Sequence, residues 1–456
     1  MCQQISRICR GAVPTARSGH IFMVEMKKRM TEIKEYVICE NVSFRSIQDA
    51  RFKTMRIAVN FLMPMEEKYA AAARALLPFL LTRASREYPD FTKMSQRLAE
   101  LYGASLSADV QKLADTQVVS VCASGLADPY ALDGKGISGD LASLLCSVLF
   151  DPLLIDGLFP EEGFEQERRQ TVELIDSEFN DKRIYAKQRC EQILCEGEPY
   201  SISRYGSKEA VQSLKREDMT TFWEELLKKA RIEIMALGNC DPQPILKRFQ
   251  EAFRTVERDP VSSFSVLCPQ AKKEVREVSE KMEVAQSKLV LGFRTGKIQA
   301  EEKPAFKLMA AIFGGTPHSK LFLNVREKLS LCYYCAARCN INKGFLLVES
   351  GVETQNIEAA KKEILAQLAE IQAGHFDEEE ISAAKMSLCN HYRTITDYLG
   401  GLESFYVSQI FEERVQTPEE AAQEITRVTK EQVVAASERV CLDTDYRLIG
   451  EGEKHE

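Results

Sequence analysis

Histidine is nearly absent. The chain has five in 456 residues: His20, His318, His375, His391 and His455. No two stand four apart, so no helix can offer the paired imidazoles that grip zinc from one face. No serine or cysteine nucleophile with a paired histidine can be argued from the sequence either. Long apolar runs are also missing. The best, Ala70 to Leu81, is short and carries Arg74 and Pro78, so a membrane is not an expected partner. An excess of positive charge is lacking: Lys and Arg number 60 against 68 Asp and Glu, a formal net charge of -8. That excludes the basic footprint of a nucleic-acid binder but leaves room for a local basic lining inside a cavity. The single tryptophan, Trp223, falls on an amphipathic stretch and reads as core. Near the start there is no apolar segment of signal-peptide length. The first 24 residues hold Arg7, Arg10 and Arg17 and no acid, which suits either a mitochondrial transit peptide or a start taken too early. With Met23, Met26 and Met30 following, the second reading is preferred, and residues 1–35 are expected to be a disordered or mis-assigned extension.

Cysteine, by contrast, is plentiful: 14, scattered through a long chain. This is no disulfide scaffold, and it points to a reducing cytoplasm. Cys332, Cys335 and Cys339 invite a metal or redox reading, but LSLCYYCAA reads as a buried strand and has no nearby fourth ligand. GGTPHSK from Gly314 lacks the ending of a phosphate loop. Glu378, Glu379 and Glu380 suit a helix N-terminus. Lys112, Lys208 and Lys215 read as solvated faces.

The strongest positive signal is a long internal repeat. RIAVNFLMPM from Arg56 matches QSKLVLGFRTG from Gln286 as a strand, and each leads into an Ala-rich helix. RLAELYGASLSA from Arg97 matches KLFLNVREKLSLCYY from Lys320. Strands then end in Ser-Gly at Gly125 and Gly351. Ile357, Ala360, Ile364, Leu368 and Ile371 keep helical spacing up to Gly374, opposite Asp140 to Phe150. Further helices begin near Pro160 and at Asp377, where Glu380 completes a capping box. Two short capped helices follow Ser207 and Thr417, and closing strands end at Gly238 and Gly450. The predicted architecture is α+β, two halves from an internal duplication, each with helices on one face of an antiparallel-rich sheet. The expected boundaries are 40–256 and 273–450, with a linker at 257–272 marked by Pro260, Ser262, Ser263 and Pro269.

Two such halves, with PHSKLFLNVREKLSLCYY in the second, resemble the insulinase-like (pitrilysin-type) zinc peptidases, the family of the mitochondrial processing peptidase. The likeness runs from about Phe44 to Gly450 and implies two metallohydrolase-like α/β sandwich domains. Active members carry HxxEH on the Ala-rich helix of the first half, where two histidines hold zinc and the glutamate activates a water. Aligned through Leu80 to Ser85, the histidine positions here fall on Ala75 and Phe79, the glutamate on Pro78 and the third ligand on Leu174, with Glu173 one residue off. The resemblance is therefore to a silent bacterial member of the family. It implies no metal or cofactor in this chain, with zinc held only by a homologous HxxEH-bearing partner. It further implies a peptide or small-protein substrate confined between the two chains. By the same likeness, Arg326 and Tyr333, seven apart, match the pair that reaches the substrate across the chamber, where they can donate to a scissile carbonyl. A link to elongation factor P modification follows from the resemblance alone. The alternative is a scaffold that reuses the fold without facing any active site.

Overall fold

Alternating and continuous apolar runs give eleven strands among the described residues of a computed structural model, which covers 32–132 and 134–450. Strands β1 (Glu32–Cys39), β2 (Val42–Gln48), β3 (Thr54–Pro64), β4 (Ser105–Leu113), β5 (Thr116–Leu126) and β6 (Arg231–Gly238) form one sheet, in the order β1-β2-β6-β3-β5-β4. Strands β7 (Arg276–Met282), β8 (Ser287–Arg294), β9 (Cys332–Asn340), β10 (Phe345–Val352) and β11 (Cys441–Gly450) form the second, ordered β7-β11-β8-β10-β9. Apart from β1 the two orders are the same, and each contains one parallel pair, β2 with β6 and β7 with β11. The repeat read from the sequence is thus a repeat of topology. Strand β1 begins inside the segment expected to be disordered. Residues 32–35 pair antiparallel with β2, and that pairing satisfies their backbone groups. The remainder of the 1–35 extension lies outside the described residues.

The helices follow the same duplication. Helices α1 (Lys68–Leu81), α2 (Phe91–Glu100), α3 (Ser138–Phe150), α4 (Glu161–Asn180), α5 (Lys182–Leu194), α6 (Lys208–Ser213), α7 (Arg216–Lys229) and α8 (Pro242–Phe253) serve the first half. The second has α9 (Lys303–Ala310), α10 (Ile357–Gln372), α11 (Glu378–Ile395), α12 (Leu399–Val407), α13 (Pro418–Arg427) and α14 (Lys430–Glu438). Wide-wound helical turns lie at Ala311–Gly315 and Leu321–Lys328. Local chemistry explains the boundaries. The Asp377 carboxylate accepts from the Glu380 N–H while Glu380 accepts from the Asp377 N–H, and Thr417 with Glu420 repeats the box. The predicted stripe of α10 is buried at all five positions. No helix or strand lies between Phe253 and Arg276.

Helices do not stay on one face of each sheet, as the sequence suggested. Both faces are covered, and the second cover comes from the other half. Ala186, Cys190 and Leu194 of α5 form an i, i+4, i+8 stripe packed on Val290, Phe345, Leu347 and Tyr446 of the second sheet. A side chain at Gly292 would meet Leu194 Cδ2 at 3.3 Å and Cys190 Sγ at 3.4 Å, so glycine is what lets α5 settle so close. Reciprocally, Tyr392, Leu399, Leu402 and Tyr406 of α11 and α12 cover Ile47, Leu62, Val118, Met235 and Leu237 of the first sheet. A single-half reading misses this, because periodicity reports an apolar stripe and not its partner.

Where the two equivalent hairpin turns meet, a charged cluster is sealed from water. The Lys343 side chain has no solvent exposure, and its Nζ lies 2.7 Å from Asp115 Oδ1 and 2.7 Å from Glu198 Oε2. It also donates to the Leu267 carbonyl at 2.6 Å, while Arg294 pairs with Glu198. Two cations face two carboxylates, the balance that a low-dielectric site demands.

Candidate functional site

The Ala-rich helix α1 presents Ala75 with no exposed surface. Around it lie Val110 of β4, Tyr205, Phe79 and Ile175 of α4, a small apolar cluster of its own. Pro78 sits inside the helix, where its ring removes the N–H that the Arg74 carbonyl would otherwise receive. Arg74, also buried, turns its guanidinium to the Pro64 carbonyl at 3.2 Å, and burial lowers its pKa. The positions aligned with the zinc ligands therefore carry alkyl and phenyl groups, which have no lone pair to give a metal. The residues do not fit zinc.

At the aligned third position, two neighbouring apolar residues of α4 face differently. Leu174 is 41% exposed, so it is turned largely to solvent, while Ile175 is the α4 residue packed against Ala75 and Phe79. Glu173 is exposed as well, 4.0 Å from Arg169. The carboxylates on the inner side of α4 are already engaged, Glu167 with Arg83 at 2.6 Å and Glu178 with Arg204. Among the described residues, no group of three or more His, Cys, Asp or Glu is placed to hold a metal ion.

Arg326 and Tyr333 lie at the corresponding edge of the second sheet, either side of the entry into β9. Arg326 belongs to the turn Leu321–Lys328, with its guanidinium 4.7 Å from the Phe322 ring and 3.5 Å from Glu327. Tyr333 is 61% exposed on the outermost strand, and its hydroxyl donates to Glu353 at 3.4 Å. The register of β9 against β10 slips between Tyr334, opposite Gly351, and Cys332, opposite Val352. Tyr333 is the extra residue of that bulge, which re-aims a side chain without ending the strand. Cys332 and Cys335 are both buried in the core behind it, although β9 is an edge strand and not the fully buried one that the sequence suggested. A hydrogen bond with Cys335 lowers the pKa of the Cys332 thiol, and the positive charge of Arg326 acts in the same direction, which puts Arg326 beside the start of β9. Both side chains are thus partly free and held only by weak, exposed contacts.

Other expectations resolve simply. Trp223 packs on the first core and donates to the Leu149 carbonyl at 2.8 Å. Lys112 is not a solvated face: its Nζ donates to the Tyr200 and Ile202 carbonyls at 2.8 and 3.2 Å, and burial lowers its pKa. Lys208 pairs with Asp176 at 2.7 Å. No helix among the described residues is long and apolar enough to cross a membrane.

Residues 213–388 match the peptidase M16 inactive domain family. Over 406 residues, 89% of this chain and 95% of the relative, the sequence is 31% identical to the probable inactive metalloprotease YmfF of Bacillus subtilis (strain 168). The chain belongs to the M16 peptidase family. A conserved protein from Enterococcus faecalis V583 has the same fold, with a TM-score of 0.85 and 27% identity over 92% of this chain and 99% of that one. A peptidase M16 inactive domain from Pseudomonas fluorescens superposes with a TM-score of 0.74 at 15% identity, covering 92% and 98% of the two chains, a likeness of fold alone. In this M16 chain the positions aligned with the zinc-binding histidines lie in the apolar cluster around Ala75.

Proposed function

We propose that this M16 chain is the silent subunit of a heterodimeric peptidase. A homologous chain bearing HxxEH holds the zinc, and this chain supplies the facing wall of the substrate chamber together with Arg326 and Tyr333. One observation carries the reading. The metal positions have been filled with packed apolar side chains, while the arginine and phenol stay solvent-accessible at the sheet edge, Tyr333 lifted by a bulge. An interior role for those two would have buried them, whereas Arg326 has only an exposed contact with its neighbour Glu327. The proposed substrate is a peptide or small protein, and zinc enters only with the partner. The free cysteines among the described residues suit a reducing cytoplasm, and elongation factor P modification is the proposed setting by resemblance.

The test is co-purification with an HxxEH-bearing M16 chain encoded alongside, followed by peptide turnover. Arg326→Ala and Tyr333→Phe are each expected to lower turnover by about tenfold or more while the complex stays intact. Unchanged turnover in both variants would leave a scaffold as the better reading.

A further inference from the structure

Between the two halves, away from Arg326, Tyr333 and the Ala75 cluster, lies a cavity of about 1490 Å³. Its walls come from α5, the start of α9, the ends of α11 and β9, α12, α13 and the segment around Phe264. That volume exceeds the roughly 300–1000 Å³ of pockets that hold drug-sized ligands. A single small anion would leave most of it unfilled.

The charge of the wall runs against that of the chain. Seven Lys or Arg line it against five Glu, in a protein whose formal net charge is -8. Lys297, Arg338 and Arg427 make no ion pair among the described residues, and Lys307 donates to the Tyr392 hydroxyl at 2.8 Å instead of to a carboxylate. The unpaired carboxylates of the wall are Glu301, Glu413 and Glu424, and Glu424 accepts from Gln416. Glu191, on the α5 side, lies 3.8 Å from Lys187, and burial raises its pKa. Beside the cations stand apolar faces: the Tyr392 ring packs edge-on to Phe405 at 6.1 Å, and Phe264 meets Phe411 at 5.2 Å. Cations interleaved with aromatic rings suit a chain of alternating acidic and apolar side chains.

We infer that this cavity is a second binding site, distinct from the Arg326 and Tyr333 edge, and that its ligand is an acidic peptide segment with apolar side chains. The site belongs to this chain alone and does not depend on a peptidase partner.

The experiment uses the full chain and a fluorescein-labelled decapeptide rich in Glu and Phe, read by fluorescence anisotropy. A Lys-for-Glu counterpart and ATP serve as the other probes. The acidic peptide is expected to bind and to weaken as salt rises, whereas the basic counterpart does not bind. Combining Lys307→Met, Arg338→Gln and Arg427→Gln is expected to weaken it by about tenfold or more. Ser404→Trp changes no charge but places an indole on the cavity wall beside Phe405, and it is expected to do the same. Should the triple variant misfold, Ser404→Trp and Arg427→Gln alone, both at exposed positions, keep the test intact. Equal binding of the acidic and basic peptides overturns the inference, as does acidic-peptide binding indifferent to Ser404→Trp. Binding of ATP with the same variant losses, but none of the acidic peptide, overturns it in favour of a small anion.

Discussion

Lys343 shows what a single residue can hold together. Its ammonium is surrounded by Asp115 from a first-half hairpin, Glu198 from the loop after α5, and the Leu267 carbonyl. Lys343→Met would leave Asp115 without a cation and Glu198 with only Arg294, both out of water. Breaking a buried pair in this way costs about 3–5 kcal/mol, and guanidinium denaturation should report a loss of that size. A loss well under 1 kcal/mol would mean that water reaches the cluster. Glu191 makes a pH-dependent contribution of the opposite kind. Burial lifts its carboxyl above the ordinary 4.5, against the pull of Lys187 and Lys112 and with a small push from Glu349. A raised carboxyl binds more protons folded than unfolded, so its stabilisation is present below about pH 4.5 and is lost as pH climbs through the folded value. Glu191→Gln should therefore become more stabilising, relative to the parent, as pH rises from about 4.5 through the folded value. Urea midpoints across that range decide it, and a gap that shrinks with pH refutes the assignment.

At the scale of elements, the packing of α1 against α4 decides whether the lost metal site could be rebuilt. Ala75→His, Pro78→Glu and Phe79→His would restore the ligand spacing, but Ala75 has no free surface. Forcing an imidazole there costs about 1–3 kcal/mol through overpacking. The triple variant should melt lower and purify without stoichiometric zinc. Adding Ile175→Glu brings a carboxylate to the inner side of α4 and should give zinc retention measurable by elemental analysis. Adding Leu174→Glu should not, because position 174 is largely solvent-facing. If Leu174→Glu proved the better ligand, the assigned face of α4 would be wrong. The same pair shows how far the sequence could be read. The stripe of α10, the capping box of α11 and the capped start of α13 were legible, since each is written in residues three or four apart. The loss of zinc ligands was legible because alanine, proline and phenylalanine coordinate nothing in any register. The inner residue of α4 was not, because Leu174 and Ile175 are both apolar and only packing separates them. Nor was the bulge at Tyr333, since an inserted residue in CYYCAA breaks no pattern that an alternating strand would show.

At the scale of the whole molecule, each half completes the other. The first sheet without α11 and α12 would expose Ile47, Leu62, Val118, Met235 and Leu237, and the second without α5 would bare Val290, Phe345, Leu347 and Tyr446. An exposed apolar face of that extent is an aggregation site. This interlock could not be read from the repeat, because duplicated sequences declare two similar units and are silent about an exchange of helices. We therefore propose that the 257–272 segment joins two halves that are not independent folding units. Calorimetry on the intact chain should show one cooperative transition, and residues 32–256 made alone should be aggregated or bind hydrophobic dyes. Co-expressed as two separate chains, 32–256 and 273–450 should recover a soluble one-to-one complex, since the junction is held by α5, α12 and the Lys343 cluster and not by the connecting peptide. Two resolved transitions, or a soluble and monomeric 32–256 fragment with native circular dichroism, would show that exchange of helices is not what stabilises the sheets.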